Sequence, residues 1–260
     1  MYAEFLSIIG SIAIFGLFLV GLLYCAKIFY VERLIKLWEN KNNSHFIIFS
    51  DNNSAIKNYY NLNNLDDLEK LRGYFIKINE NDPIDILIDT NGGEFIYHKY
   101  ALDLLFCHKG NISVFVPRKA YSCGTIISLF AHKIYMHKFA HLSPIDLQII
   151  FETCKTANKI CIAANELVNM TASLSNSDLG NLLLLYSKHA CKSVNISNIL
   201  LSNFYTKRYD KNMLNIIQEH FITPNLPHVY AYSVDELKNF GFQILDLPND
   251  ILDIHSLIFP

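Results

Sequence analysis

The chain has 260 residues, 51% of them hydrophobic, with 22 basic and 24 acidic side chains and a formal net charge of −2. That length sustains one sizeable domain with an appendage and needs no disulfides to compensate for a small core. No basic excess exists to neutralise phosphates, which excludes a nucleic-acid binder and leaves small molecules, proteins or lipids as partners.

Between Phe5 and Ala26 no residue is charged, and such a run is long enough to span a hydrocarbon core as a helix. It exceeds a signal-peptide core, lacks a basic segment before it, and ends in Tyr24 and Lys27 rather than at a small-residue cleavage site. A retained single-pass transmembrane anchor is expected. Glu4 precedes the span, whereas Lys27, Arg33 and Lys36 follow it, so the positive-inside rule places the C-terminal domain in the cytosol. Residues 31–38 extend the helix as a juxtamembrane stem. The polar stretch from Asn40 to Ser44 then divides an anchor region, 1–40, from a globular domain, 41–260. The six cysteines show no paired or zinc-type spacing and read as reduced core thiols.

Within the domain, 45–49 reads as a short strand and 51–64 as an asparagine-rich loop. Leu68, Leu71, Phe75 and Ile78 predict a helix over 66–78, capped by Asn63 or Asn64. A buried strand at 84–88, a helix over 96–107, a strand at 112–116, a helix over 125–131 and a strand at 134–136 follow. A long helical region occupies 175–204. Ser233-Val234-Asp235-Glu236 forms a capping box, and Gly241 fits the matching helix stop. Strands alternating with helices predict β-α-β crossovers and a mostly parallel sheet.

Two loops carry the chemistry. Asp89-Thr90-Asn91-Gly92-Gly93 closes one strand, and Ala120-Tyr121-Ser122-Cys123-Gly124-Thr125 closes a later strand and opens a helix. A serine at a helix start lies beside free N–H groups that favour a developing negative charge, so Ser122 is the candidate nucleophile. Cys123 offers its backbone N–H to an oxyanion. Gly93 offers a second donor, with Gly92 turning the chain. A helix-capping serine and an ordinary glycine turn are the bland alternatives.

The segment from Pro83 to Gly93, Val114-Phe115-Val116-Pro117, Ser122-Cys123-Gly124-Thr125, Leu142-Ser143-Pro144-Ile145-Asp146-Leu147-Gln148, and the segment from Pro227 to Ser233 together resemble the serine dehydrogenase proteinase family. That family is a membrane-linked branch of the Clp-protease/crotonase superfamily, related to signal peptide peptidase A. The resemblance covers nearly all of the chain beyond residue 40. It implies an α/β fold of Clp/crotonase-like type, a β-α-β superhelix preceded by one transmembrane helix. It also implies a membrane-anchored serine peptidase acting on protein or peptide substrates through a Ser122 acyl-enzyme, assembled as a homo-oligomer. No cofactor or metal is implied, since no ligand cluster and no phosphate-binding glycine loop stands in the sequence.

The resemblance leaves the general base open. Asp146 matches the family's Pro-Val-Asp segment near the place of the Clp-type histidine, and reads equally as a loop or cap aspartate. His141 stands some four residues too early for that histidine. Lys155 and Lys159 lie downstream, where the lysine-using membrane relatives would place a desolvated base. His228 matches a family histidine but, with Val229 and Ala231 departing from the pattern, reads as structural. Further departures are Asn91 for a proline of fixed φ, Cys123 for a smaller residue, and His132, Lys133 and His137 at usually acidic positions. They keep two other functions in view: a catalytically inactive scaffold of a membrane complex, and a crotonase-like acyl-thioester enzyme that needs no serine.

Overall fold

The computed structural model describes residues 2–52, 54–152, 159–171, 186–188, 190–192, 194–196, 198–199, 203 and 205–259. Helix α1 runs unbroken over Tyr2–Asn42. Six strands then build one sheet: β1 (His45–Ser50), β2 (Tyr59–Asn61), β3 (Ile84–Asp89), β4 (Ile112–Val116), β6 (Lys133–Met136) and β11 (Ile244–Asp246). Their spatial order is β11-β6-β4-β3-β1-β2, and every pairing is parallel. The expectation of a mostly parallel sheet holds.

Period-2 alternation sorts the strand residues onto two covered faces. Ile47, Phe49, Ile86, Ile88, Val114 and Val116 belong to one buried cluster. Helices α2 (Leu65–Phe75), α3 (Phe95–Cys107) and α4 (Cys123–Phe130) contribute to it. Phe46, Ile48, Leu87 and Phe115 point the other way and join Val31, Ile35 and Trp38 of α1 with Ile251 and Ile254 of α8 (Asn249–Ile258). The stem of α1 is therefore part of the core.

On this second face β3 carries two buried carboxylates, and each is tied to a covering element. Asp85 Oδ2 accepts from Trp38 Nε1 at 2.8 Å and from Ser44 Oγ at 2.7 Å. Asp89 accepts from Arg118 Nε at 3.0 Å and lies 2.7 Å from His255 Nε2 of α8.

Short strands absent from the periodic pattern complete the fold. Strand β5 (Lys119–Ala120) pairs in parallel with β7 (His141–Leu142), which pairs antiparallel with β10 (Tyr232–Ser233). Strands β8 (Gln148–Glu152) and β9 (Lys159–Ala163) form an antiparallel hairpin leading into α5 (Ala164–Thr171). Residues 175–185 of the predicted long helical region lie outside the described residues. The described positions from 186 to 199 are helical, and Ala190 shares a small buried cluster with Leu167 of α5. Helix α6 (Lys211–Ile217) continues into a wider turn over Gln218–Ile222. Ser233 and Glu236 form the expected capping box on α7 (Val234–Asn239), and Asn64 caps α2.

Candidate active site

In open α/β sheets the loops at the carboxyl ends of the strands are where ligands bind, and three of those loops meet here. Asp51 follows β1, the glycine loop follows β3, and Ser122 follows β5. The join is made by backbone: Thr90 N–H donates to Lys119 O at 3.2 Å, and Tyr121 N–H donates to Thr90 O at 3.1 Å.

Ser122 is the residue before α4 and adopts φ 50° and ψ −114°, with no side-chain cap bond. A non-glycine residue outside the common basins costs about 1–3 kcal/mol and persists only where its surroundings enforce it. The enforcing contacts are visible. Ser122 N–H donates to Ser143 Oγ at 2.7 Å. Thr125 Oγ1 lies 2.7 Å from Ala120 O and 2.9 Å from Ser143 O, fastening the turn on both sides. Gly124 sits so close to Thr90 that a β-carbon there would lie 2.4 Å from the Thr90 methyl. Cβ is thus excluded from the third position of the Ser122-Cys123-Gly124 turn.

The glycine loop touches the serine directly. A β-carbon on Gly92, whose φ is 94°, would lie 2.8 Å from Ser122 Cβ. The missing proline at Asn91 is offset by a hydrogen-bonded clamp. Asp51 accepts from Thr90 Oγ1, from Asn91 N–H at 2.6 Å and from Asn91 Nδ2 at 2.9 Å. Lys119 Nζ donates to Asn91 Oδ1 at 2.5 Å, and Gly92 N–H donates to Thr90 Oγ1 at 3.0 Å. Asn63 Nδ2 holds the Gly92 carbonyl at 3.2 Å, which turns the Gly93 N–H of the same planar peptide the opposite way. Among the described residues neither the Gly93 nor the Cys123 N–H has a protein acceptor.

The Cys123 thiol donates to Gly93 O at 3.4 Å, spanning the two loops. Burial pushes its pKa up to about 11, so it stays a protonated donor and is not a thiolate nucleophile. His98, at the start of α3, donates from Nδ1 to Glu94 O at 3.1 Å and has a buried Nε2 with no partner among the described residues. Desolvation pushes its pKa down to about 4, so the ring is neutral.

The candidate bases separate. Asp146 is buried, with Oδ1 2.8 Å from His228 Nδ1 and Oδ2 accepting from Gln148 Nε2 at 2.6 Å. His141 lies in β7, its backbone N–H donating to Arg118 O at 3.0 Å, opposite Ser233 of β10. Lys159 stands opposite Glu152 in the β8–β9 hairpin, and Lys155 lies outside the described residues. The Glu152 and Lys159 side chains lie outside the described ones, and no histidine, lysine or carboxylate side chain among those described is hydrogen-bonded to Ser122 Oγ. The residues that spacing did not single out are Asp51, Asn63 and Ser143, and His228 in any role beyond structure. Asp51 and His228 meet their partners from 39 and 82 residues away.

Parallel sheet, glycine loop and serine turn define an α/β protein of the ClpP-like class. The sequence matches the ClpP-like SDH-type serine proteinase family over residues 2–258, and the chain belongs to that family. It is 23% identical to an uncharacterised protein of Methanocaldococcus jannaschii over 230 residues, 86% of this chain and 77% of that protein. A second uncharacterised protein of the same organism is 26% identical over 179 residues, 68% of this chain and 58% of its own length. Among solved structures, a mutant of the 1510-N membrane-bound stomatin-specific protease aligns with 15% identity and a TM-score of 0.47, covering 81% of this chain and 82% of that one. ClpP1 from Listeria monocytogenes aligns with 16% identity and a TM-score of 0.44, covering 81% and 95%.

Proposed function

We propose that the protein is a membrane-anchored serine peptidase that cleaves protein or peptide substrates through a Ser122 acyl-enzyme. The observation that carries this reading is the enforced backbone of Ser122, held in contact with Gly92 and beside two N–H groups without acceptors. Attack by Ser122 Oγ on a peptide carbonyl places negative charge on the carbonyl oxygen, and the N–H groups of Gly93 and Cys123 are its donors. The inactive-scaffold reading gains nothing from this arrangement, because a scaffold has no need of a strained serine.

His228 takes the serine proton and Asp146 orients it. A carboxylate on Nδ1 fixes the tautomer that leaves Nε2 as acceptor, the division of labour of a nucleophile–base–carboxylate set. Register supports the placement: Ala120 pairs with Leu142 in neighbouring parallel segments, so Ser122 and Asp146 follow the same strand end. With both of its oxygens engaged, Asp146 serves as the orienting group and not as the base.

Residues 5–26 form the membrane anchor, with the domain on the cytosolic side. The apolar side chains from Ile14 to Leu23 are exposed, in contrast to Val31, Ile35 and Trp38 on the same helix. The domain assembles as a homo-oligomer.

A fluorophosphonate probe tests the chemistry on the detergent-solubilised full chain. Wild type is expected to label at Ser122, and Ser122→Ala to lose labelling with its circular dichroism unchanged. His228→Gln and Asp146→Asn should each slow labelling by about two to four powers of ten, without additivity in the double variant. A rate still climbing at pH 10, with His228→Gln unimpaired, assigns the base to a lysine. Equal labelling of wild type and Ser122→Ala rejects the acyl-enzyme.

A further inference from the structure

Away from the serine, a cavity of about 480 Å³ opens beside β6, β11 and the start of α6, lined among others by His132, Arg208, Tyr209, Met213 and Phe242. That volume is in the range of small-molecule sites. It lies at the opposite end of the strands from Ser122: His132 N–H donates to Ile112 O, at the beginning of β4.

Its polar lining is cationic and unbalanced. Arg208 is half-buried, with its guanidinium 4.9 Å from the centre of the Phe130 ring, and it makes no ion pair among the described residues. His132 Nδ1 accepts the Ile112 N–H at 2.9 Å, so its proton sits on Nε2, which is left as a donor. Burial first, and then the charge of Arg208, push the His132 pKa below its usual value. The one carboxylate at the rim, Asp210, has Oδ1 engaged by Met213 N–H at 2.9 Å as the cap of α6.

A planar guanidinium fork and an imidazole N–H lining one cavity match the oxygens of a phosphate or carboxylate. Met213, Phe242 and Ile134 supply an apolar wall beside them. We propose that this cavity binds a small organic anion, with Arg208 and His132 holding a phosphate or carboxylate group and the apolar wall holding its body. The site is separate from the proposed Ser122 chemistry and does not depend on it.

The test is binding of inorganic phosphate and phenyl phosphate to the detergent-solubilised full chain, by thermal shift and calorimetry against chloride at matched ionic strength. Phenyl phosphate should bind more tightly than phosphate, because it also fills the apolar wall, and near-saturation should raise Tm by about 3 °C. Arg208→Gln and His132→Gln should each weaken binding by about tenfold or more, and Ser122→Ala should bind as wild type. Arg208→Lys, which keeps the charge and loses the fork, serves if Arg208→Gln does not fold, and should also weaken binding. Competition in the same detergent separates the two sources of the anion. Displacement of phenyl phosphate from wild type by short-chain phosphatidylglycerol, but not by short-chain phosphatidylcholine, assigns a lipid headgroup, whereas no displacement by either lipid assigns a soluble molecule. A Tm shift no larger than that given by chloride, or wild-type affinity in both His132→Gln and a folded Arg208 variant, overturns the proposal.

Discussion

At the scale of single residues, the site shows strain enforced by hydrogen bonding. Ser122 keeps φ at 50° because Ser143, Thr125 and Gly92 hold its neighbours, and Asp51 does for Asn91 what a proline ring would otherwise do. His98 illustrates a different residue-scale effect. Its folded pKa of about 4 lies below the usual 6.5 because burial disfavours the imidazolium. The unfolded chain therefore binds the extra proton first, so the neutral ring's contribution is fully present above pH 6.5 and is lost as pH falls towards 4. Across that window the loss amounts to about 3 kcal/mol. Urea unfolding of wild type and His98→Gln at pH 7 and pH 4.5 should show a larger acid loss in wild type. Parallel pH profiles would mean that His98 is hydrated or charged in the fold. Glycine, serine and aspartate in the two loops were legible in the sequence because their chemistry is local. The Asp51 clamp and the Asp146–His228 pair were not, since partners 39 and 82 residues apart leave no spacing to read.

Among the elements, the long ones followed their periodicity and the short ones did not. β3 is buried along its whole length and β4 at every residue but Ser113, as strands of a parallel sheet covered on both faces are, and α2 and α4 lie within about three residues of their expected bounds. β5, β7 and β10 have two residues each, too few for any alternation, although β5 and β7 bring Ser143 to the serine. β2 was hidden in an asparagine-rich segment because its pairing with β1, not its propensity, makes it a strand. At this scale the coupling of α1 to β3 is testable. Trp38→Phe retains the apolar ring but removes one of the two donors on buried Asp85, and should cost about 1–3 kcal/mol in urea unfolding followed by circular dichroism. With Asp85→Leu also present, the added cost of Trp38→Phe should shrink by more than half, since no buried carboxylate then needs the indole N–H. Equal costs in both backgrounds would show that the indole contributes by packing alone.

For the whole molecule, α1 joins two environments in one helix of 41 residues, about 60 Å long at 1.5 Å per residue. Its first part presents Ile14, Phe15, Leu17 and Phe18 to the outside, while Val31 and Ile35 close the second face of the sheet together with α8. The division of the molecule by function therefore does not coincide with the end of the helix. Burial of Val31 and of Ile35 is each worth on the order of 2 kcal/mol, and Trp38 adds its hydrogen bond to Asp85. Deleting residues 1–26 should remove membrane association and leave a water-soluble domain with a cooperative thermal transition and fluorophosphonate labelling close to that of the full chain. Deleting 1–42 should expose Phe46, Ile48, Leu87 and Phe115, leave Asp85 without its indole donor, and give a protein that aggregates or unfolds roughly 8–16 °C lower, on the estimate that about 4 kcal/mol is lost at about 2–4 °C per kcal/mol. Sedimentation and thermal unfolding of the two truncations decide the matter. Equal stability would mean that the α1–α8 layer is dispensable and that the domain begins at β1.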